Sequence, residues 1–144
     1  MDLSEDERRF LEEGRVARLA TADERGRPNV IPICFALLEN ALVTPLDEKP
    51  ASVDPETYRR VRDVETNPFV AVVVDHYVED WDELGWVQLR GRAAVIDPGE
   101  GGHRTAVEAL RNKYEQYRDH LLEERPVIRI RPGHVVSWGR VEVE

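Results

Sequence analysis

A proline stands inside a strand-like apolar run, Val30-Ile31-Pro32-Ile33-Cys34-Phe35-Ala36-Leu37-Leu38. Proline has no N–H to give to a sheet ladder, so within sheets it is confined to edges, bulges or places where something other than a strand approaches the backbone. The run breaks at Glu39-Asn40, resumes as Ala41-Leu42-Val43-Thr44, and ends in the polar corner Pro45-Leu46-Asp47-Glu48-Lys49. Two adjacent antiparallel strands are therefore expected to lead into a corner that carries one of the chain's two lysines.

The remaining segments surround this hairpin with short elements. Glu5 to Gly14 predicts an amphipathic helix with Phe10 and Leu11 turned inward and Gly14 as its stop. Val16 to Ala22 reads as a strand, and 23–28 as a turn before the strand Asn29 to Leu38. Asp54-Pro55 is a helix start, Tyr58, Val61 and Val64 mark its apolar face, and Asn67-Pro68 ends it. Phe69 to Asp75 is continuously apolar and predicts a strand buried on both faces. Trp86 to Ile96 alternates, with Val87, Leu89, Ala93 and Val95 on one side and Trp86, Gln88, Arg90 and Arg92 on the other. A second long helix is expected from about Arg104 to Tyr117, then two short strands, Val127 to Ile130 and Val135 to Trp138. About six short strands with hairpin-length connections favour a mainly β fold, a small antiparallel barrel, over a doubly wound sheet. The absence of repeats and linkers predicts a single domain over 1–144.

Composition narrows the classes of function. The formal net charge of -9 argues against general binding to nucleic acid or anionic membranes. No window approaches the ~18 uninterrupted apolar residues of a membrane span. The charged start of the chain lacks the apolar core of a signal peptide, and Cys34 is the lone cysteine, so a cytoplasmic location without disulfides is expected. Cys34 itself, in mid-strand, reads as a buried structural thiol.

The usual catalytic signatures are missing. There is no Gly-x-Ser-x-Gly, Cys-x-x-Cys, His-Glu-x-x-His or phosphate loop. Asp75, His76, Glu79, Asp80 and Asp82 match no metal-loop spacing and read as a solvated acidic loop. If the chain is an enzyme, its reactive group is expected to come from a cofactor. What remains is a basic cluster, Lys49 with Arg59, Arg60 and Arg62, in an otherwise acidic chain and next to the proline strand. Residues 59 and 62 share a helix face, whereas Arg60 points elsewhere. Lysine as a point charge and arginine as a bidentate fork are a phosphate-binding pair, so a flat, phosphorylated ligand is the expected occupant.

These residues also form an ordered pattern. It begins with Val16-Ala17-Arg18-Leu19-Ala20-Thr21 and Gly26-Arg27-Pro28, which lead into Val30 to Phe35. Asp47-Glu48-Lys49-Pro50, the arginine helix with Asn67-Pro68, Val73 to Tyr77, Glu79-Asp80-Trp81, Trp86-Val87 and Gly91-Arg92-Ala93 follow. In this the chain resembles the FMN-binding split-barrel superfamily, the pyridoxamine 5′-phosphate oxidase-like proteins, and within it the small enzymes assigned to the deazaflavin coenzyme F420. The resemblance implies a six-stranded antiparallel split barrel with flanking helices. It also implies a homodimer with cofactor sites at the interface. The backbone of Ile31, Pro32, Ile33, Cys34 and Phe35 would lie along the ring system, with Thr44 beside it. Lys49, helped by arginines from Arg59 to Arg62, would reach the phosphate, and Trp86, Gln88 and Trp138, of this or the partner subunit, would border the pocket. The implied activity is hydride transfer between F420 and a small unsaturated substrate. An FMN-dependent oxidoreductase and a non-catalytic binder of a flavin- or haem-type ligand are the alternatives. Pyridoxamine phosphate oxidation itself is not expected, because the Arg-x-x-Pro-type C-terminal segment of those oxidases is replaced here by Ser137 to Glu144.

Overall fold

The computed structural model describes residues 2–46 and 58–141. Helix α1 spans Glu5–Glu13, α2 Arg59–Thr66 and α3 His103–Lys113; strands β1 to β7 are Ala17–Ala22, Pro28–Ile33, Ala36–Leu37, Leu42–Pro45, Phe69–His76, Gly85–Ile96 and Val127–Gly139. All seven strands join one antiparallel sheet in the order β2-β1-β5-β6-β7-β4-β3. The edge strands β2 and β3 are consecutive in sequence, so the sheet curls until its edges are joined through Cys34-Phe35 rather than by a ladder. This is the mainly β split barrel with flanking helices that the sequence led us to expect, with seven strands where six were expected. The run 29–38 is two strands on opposite edges, and Pro32 falls on an edge strand, where its missing N–H costs no ladder bond.

Local signals account for most element ends. Ser4 Oγ accepts from the Glu7 amide while the Glu7 carboxylate accepts from the Ser4 amide, a capping box that starts α1. Gly14 does stop that helix, but with φ −65 rather than left-handed. Its lack of a side chain serves packing: a Cβ there would sit 2.7 Å from Val74 Cγ1. Asn67 caps the end of α2 before Pro68. The proposed start of α2 at Asp54-Pro55 lies outside the described residues.

The core lies inside the curl. Leu19, Val72, Val87 and Leu89 from the sheet meet Leu11 of α1 and Val61 and Val64 of α2, with Phe35 fully buried among them. Fully burying each such side chain contributes roughly 1.5–3 kcal/mol. A second cluster packs Val107, Leu110 and Tyr114, on or just past α3, against Val43 of β4 and Val127 of β7. Strand β4 therefore runs between two cores and is buried along its length. Strand β5 is not. It alternates, with Val70, Val72 and Val74 inside while Phe69 is 62% exposed. The expectation of burial on both faces fails because the helices pack on the inner face and leave the outer one open. No helix among the described residues is long and apolar enough to cross a membrane.

Candidate functional site

The edge strand and the split create a cleft. Val16, Ile31, Pro32, Ile33, Cys34, Thr44, Pro45 and Arg60 line a space of about 350 Å³. Antiparallel pairing of β2 with β1 uses one row of backbone groups on β2, and an edge strand leaves the other row without a strand partner. In its lining the cleft thus combines residues of an edge strand, apolar side chains and Arg60. Its size is within the range of small-molecule sites.

The side chains around the split are tightly held. Thr44, 1% exposed, donates its hydroxyl to the Cys34 carbonyl at 2.8 Å. The Phe35 amide donates to the Tyr114 hydroxyl at 3.2 Å, and that hydroxyl donates to the Arg15 carbonyl at 2.8 Å. Burial pushes the Tyr114 hydroxyl up to about 12, so it stays neutral and serves as both donor and acceptor. The Lys113 ammonium lies 3.7 Å over the Phe35 ring, and burial, followed by the charge of Arg15, pulls it down to about 8. On α2, the buried Asp63 carboxylate accepts from Thr21 at 2.7 Å and faces Arg59 Nε at 3.4 Å. A buried carboxylate without such partners would be strongly destabilising.

Of the expected site residues, Ile31, Pro32, Ile33, Cys34 and Thr44 come together in the cleft. Cys34 is partly exposed there rather than buried. The Phe35 side chain turns into the core, its amide is taken by Tyr114, and it does not line the cleft. The three arginines of α2 are placed differently. Arg59 is engaged with Asp63 and the Arg27 carbonyl, and Arg62 is exposed away from the cleft, whereas Arg60 lines it. Arg60 flanks the apolar stripe four residues before Val64, a signal legible in the helix phase once Val61 and Val64 are taken as the buried face. Trp86 and Gln88 lie on β6, three strands from β2, and do not line the cleft of their own chain. Lys49 falls outside the described residues. Among the described residues no cluster of three or more His, Cys, Asp or Glu could hold a metal ion; Asp75 pairs with Arg18, and Asp80 caps the turn at Trp81–Glu83.

Solved structures share this fold at low sequence identity. A conserved hypothetical protein of Mycobacterium tuberculosis superposes with a TM-score of 0.75 at 18% identity, over 97% of this chain and 87% of that one. HutZ, the haem storage protein of Vibrio cholerae, gives 0.71 at 16% identity over 96% and 95%. A haem-binding protein of Mycobacterium smegmatis gives 0.70 at 18% identity over 97% of this chain and 60% of that one. No curated protein matches the chain in sequence. The family model of pyridoxamine 5′-phosphate oxidase matches residues 3–139, nearly the whole of this split barrel, and the chain belongs to that family.

Proposed function

We propose that the cleft along β2 binds a flavin-type cofactor, the deazaflavin F420, and that the protein uses it for hydride transfer to a small unsaturated molecule. The observation that carries this reading is the lining of the cleft. An edge-strand backbone suits the polar rim of a fused-ring heterocycle, Val16, Ile31, Ile33 and Pro45 suit its flat faces, and Arg60 suits an anionic group. Bound there, a deazaflavin supplies two-electron hydride chemistry; the residues of the chain bind it, orient it and exclude water. FMN would use the same features and is the alternative cofactor.

A homodimer belongs to the proposal. The outer face of the sheet leaves Val30, Phe69 and Trp138 at 63%, 62% and 54% exposure. One end of that face carries Arg90, Arg92, Arg131 and His134, and the other carries Asp75 and the acidic residues Glu79 to Glu83. A two-fold axis across the face would set each basic end against an acidic one. Trp86 and Gln88 of a second copy could then border the cleft.

One observation favours a second reading, a non-catalytic haem-type binder. The outer face holds a hollow of about 760 Å³ whose lining includes Phe69, Ala71, three arginines and His134. An imidazole with nearby guanidinium groups suits a planar dianion, and two of the structural relatives are described as haem proteins.

Fluorescence titration of apo-protein with F420 and with FMN separates these readings. Micromolar F420 binding that Arg60→Ala weakens roughly tenfold to a hundredfold, the scale of a charge-assisted hydrogen bond, supports the first. Arg62→Ala should leave the affinity unchanged. A Soret band lost in His134→Ala, with no binding of either flavin, would replace it with the second.

A further inference from the structure

One peptide unit at the split is held on both sides by side-chain hydroxyls. Cys34-Phe35 crosses from one edge of the sheet to the other, where neither β2 nor β3 continues a ladder past it. Its C=O accepts from Thr44 Oγ1 at 2.8 Å, and its N–H donates to the Tyr114 hydroxyl at 3.2 Å. A buried peptide needs both partners, and here two hydroxyls supply what strand pairing supplies elsewhere. The Tyr114 hydroxyl also donates to the Arg15 carbonyl at 2.8 Å. Arg15 immediately precedes Val16, and Val16 and Cys34 both line the cleft.

We infer that Tyr114 is a positioning residue of this cleft: from just beyond α3, without lining the cavity, it ties the Val16 wall to the Cys34 wall while Thr44 secures the same crossing from the β4 side. The ligand identity rests on the flavin-site reading; the clamp does not. A simpler role, ring packing in the second core, is also visible in the edge-to-face contact of Tyr114 with Tyr117 at 5.4 Å. Tyr114→Phe separates the two, because it keeps the ring and removes only the bridging hydroxyl.

Cys34 is the lone cysteine and sits on the clamped peptide, so its alkylation by iodoacetamide in the apo-protein reports the crossing whatever the cofactor. The thiol is already partly exposed in the cleft and reacts slowly there, and loosening of the clamped peptide exposes it further. Tyr114→Phe and Thr44→Val should each raise the alkylation rate about tenfold, the scale of one lost buried hydrogen bond. Thr44→Ser should restore the slow rate. Arg111→Gln, which breaks the fork to Glu123 elsewhere on α3, should leave it within about twofold even if its Tm falls as far. Flavin affinity should weaken about tenfold in Tyr114→Phe as well. Equal alkylation rates in Tyr114→Phe and Arg111→Gln would overturn the clamp. Faster alkylation in a protein that binds neither flavin would keep the clamp and sink the flavin reading.

Discussion

Lys113 shows how a single residue can register the geometry of the split. Its Nζ lies over the Phe35 ring and 3.4 Å from the Leu11 carbonyl, while Arg15 stacks 4.5 Å from the centre of the neighbouring Tyr114 ring. Burial and then the Arg15 charge disfavour the ammonium, whereas Glu12 and Cys34 act the other way, leaving its pKa at about 8. In the unfolded chain a lysine titrates at about 10.4. Below about 8 both states carry the proton, and the cost of holding the charge in the fold is fully present. Between those values the folded chain releases a proton that the unfolded chain keeps, so stability rises with pH. The Tm of the native protein should therefore climb relative to Lys113→Met from pH 7.5 to 10, and a constant difference would show that Lys113 titrates normally. Arg60 carries the complementary lesson. Charge clustering in the sequence marked the arginines of α2, but which of Arg59, Arg60 and Arg62 lines the cleft depended on which face α2 turned to the core.

At the scale of elements, the middle of the long β6–β7 ribbon depends on a close approach at Gly91. Val127 to Ile130 and Val135 to Trp138 read as two strands in the sequence. They are one strand, and the ladder shifts register between Arg90 and Gly91, so that Arg90 faces His134 while Gly91 faces Pro132. Gly133 is thereby the extra residue of a bulge. A Cβ on Gly91 would lie 2.1 Å from the Arg131 carbonyl oxygen and 2.7 Å from Pro132 Cα. Backbone atoms cannot swing aside as a side chain can. Gly91→Ala should cost about 1–3 kcal/mol, the scale of overpacking, and lower the Tm by several degrees. An unchanged Tm would mean that the ribbon slips its register at little cost. The proline was legible in the sequence, but its tolerance depends on a glycine forty-one residues earlier on the paired strand.

At the scale of the whole molecule, the outer sheet face carries exposed apolar residues, Val30, Phe69 and Trp138. Rows of cross-strand neighbours, Val30-Ala20-Ala71-Arg90-His134 among them, share it, and the small side chains of Ala20 and Ala71 lie in its hollow. Contiguous exposed apolar surface is a candidate for an interaction. If a second copy covers it, light scattering on the native protein should give twice the chain mass of 16.6 kDa, and Phe69→Glu should give the monomer and weaken flavin binding. A native monomer would remove Trp86 and Gln88 from the site.

Periodicity, caps and turn residues in the sequence determined which segments are strands and helices, because those preferences act within a few residues. Pro32 likewise marked its strand as one that could not lie in the middle of a ladder. Which strands became edges was decided elsewhere. β2 and β3 stand at opposite ends of the sheet because the curl brings their junction back to itself. Only that closure places Thr44 and Tyr114, separated in sequence by seventy residues, on the two sides of a single peptide. Local sequence encodes hydrogen-bonding capacity, and tertiary structure alone brings each donor to its acceptor.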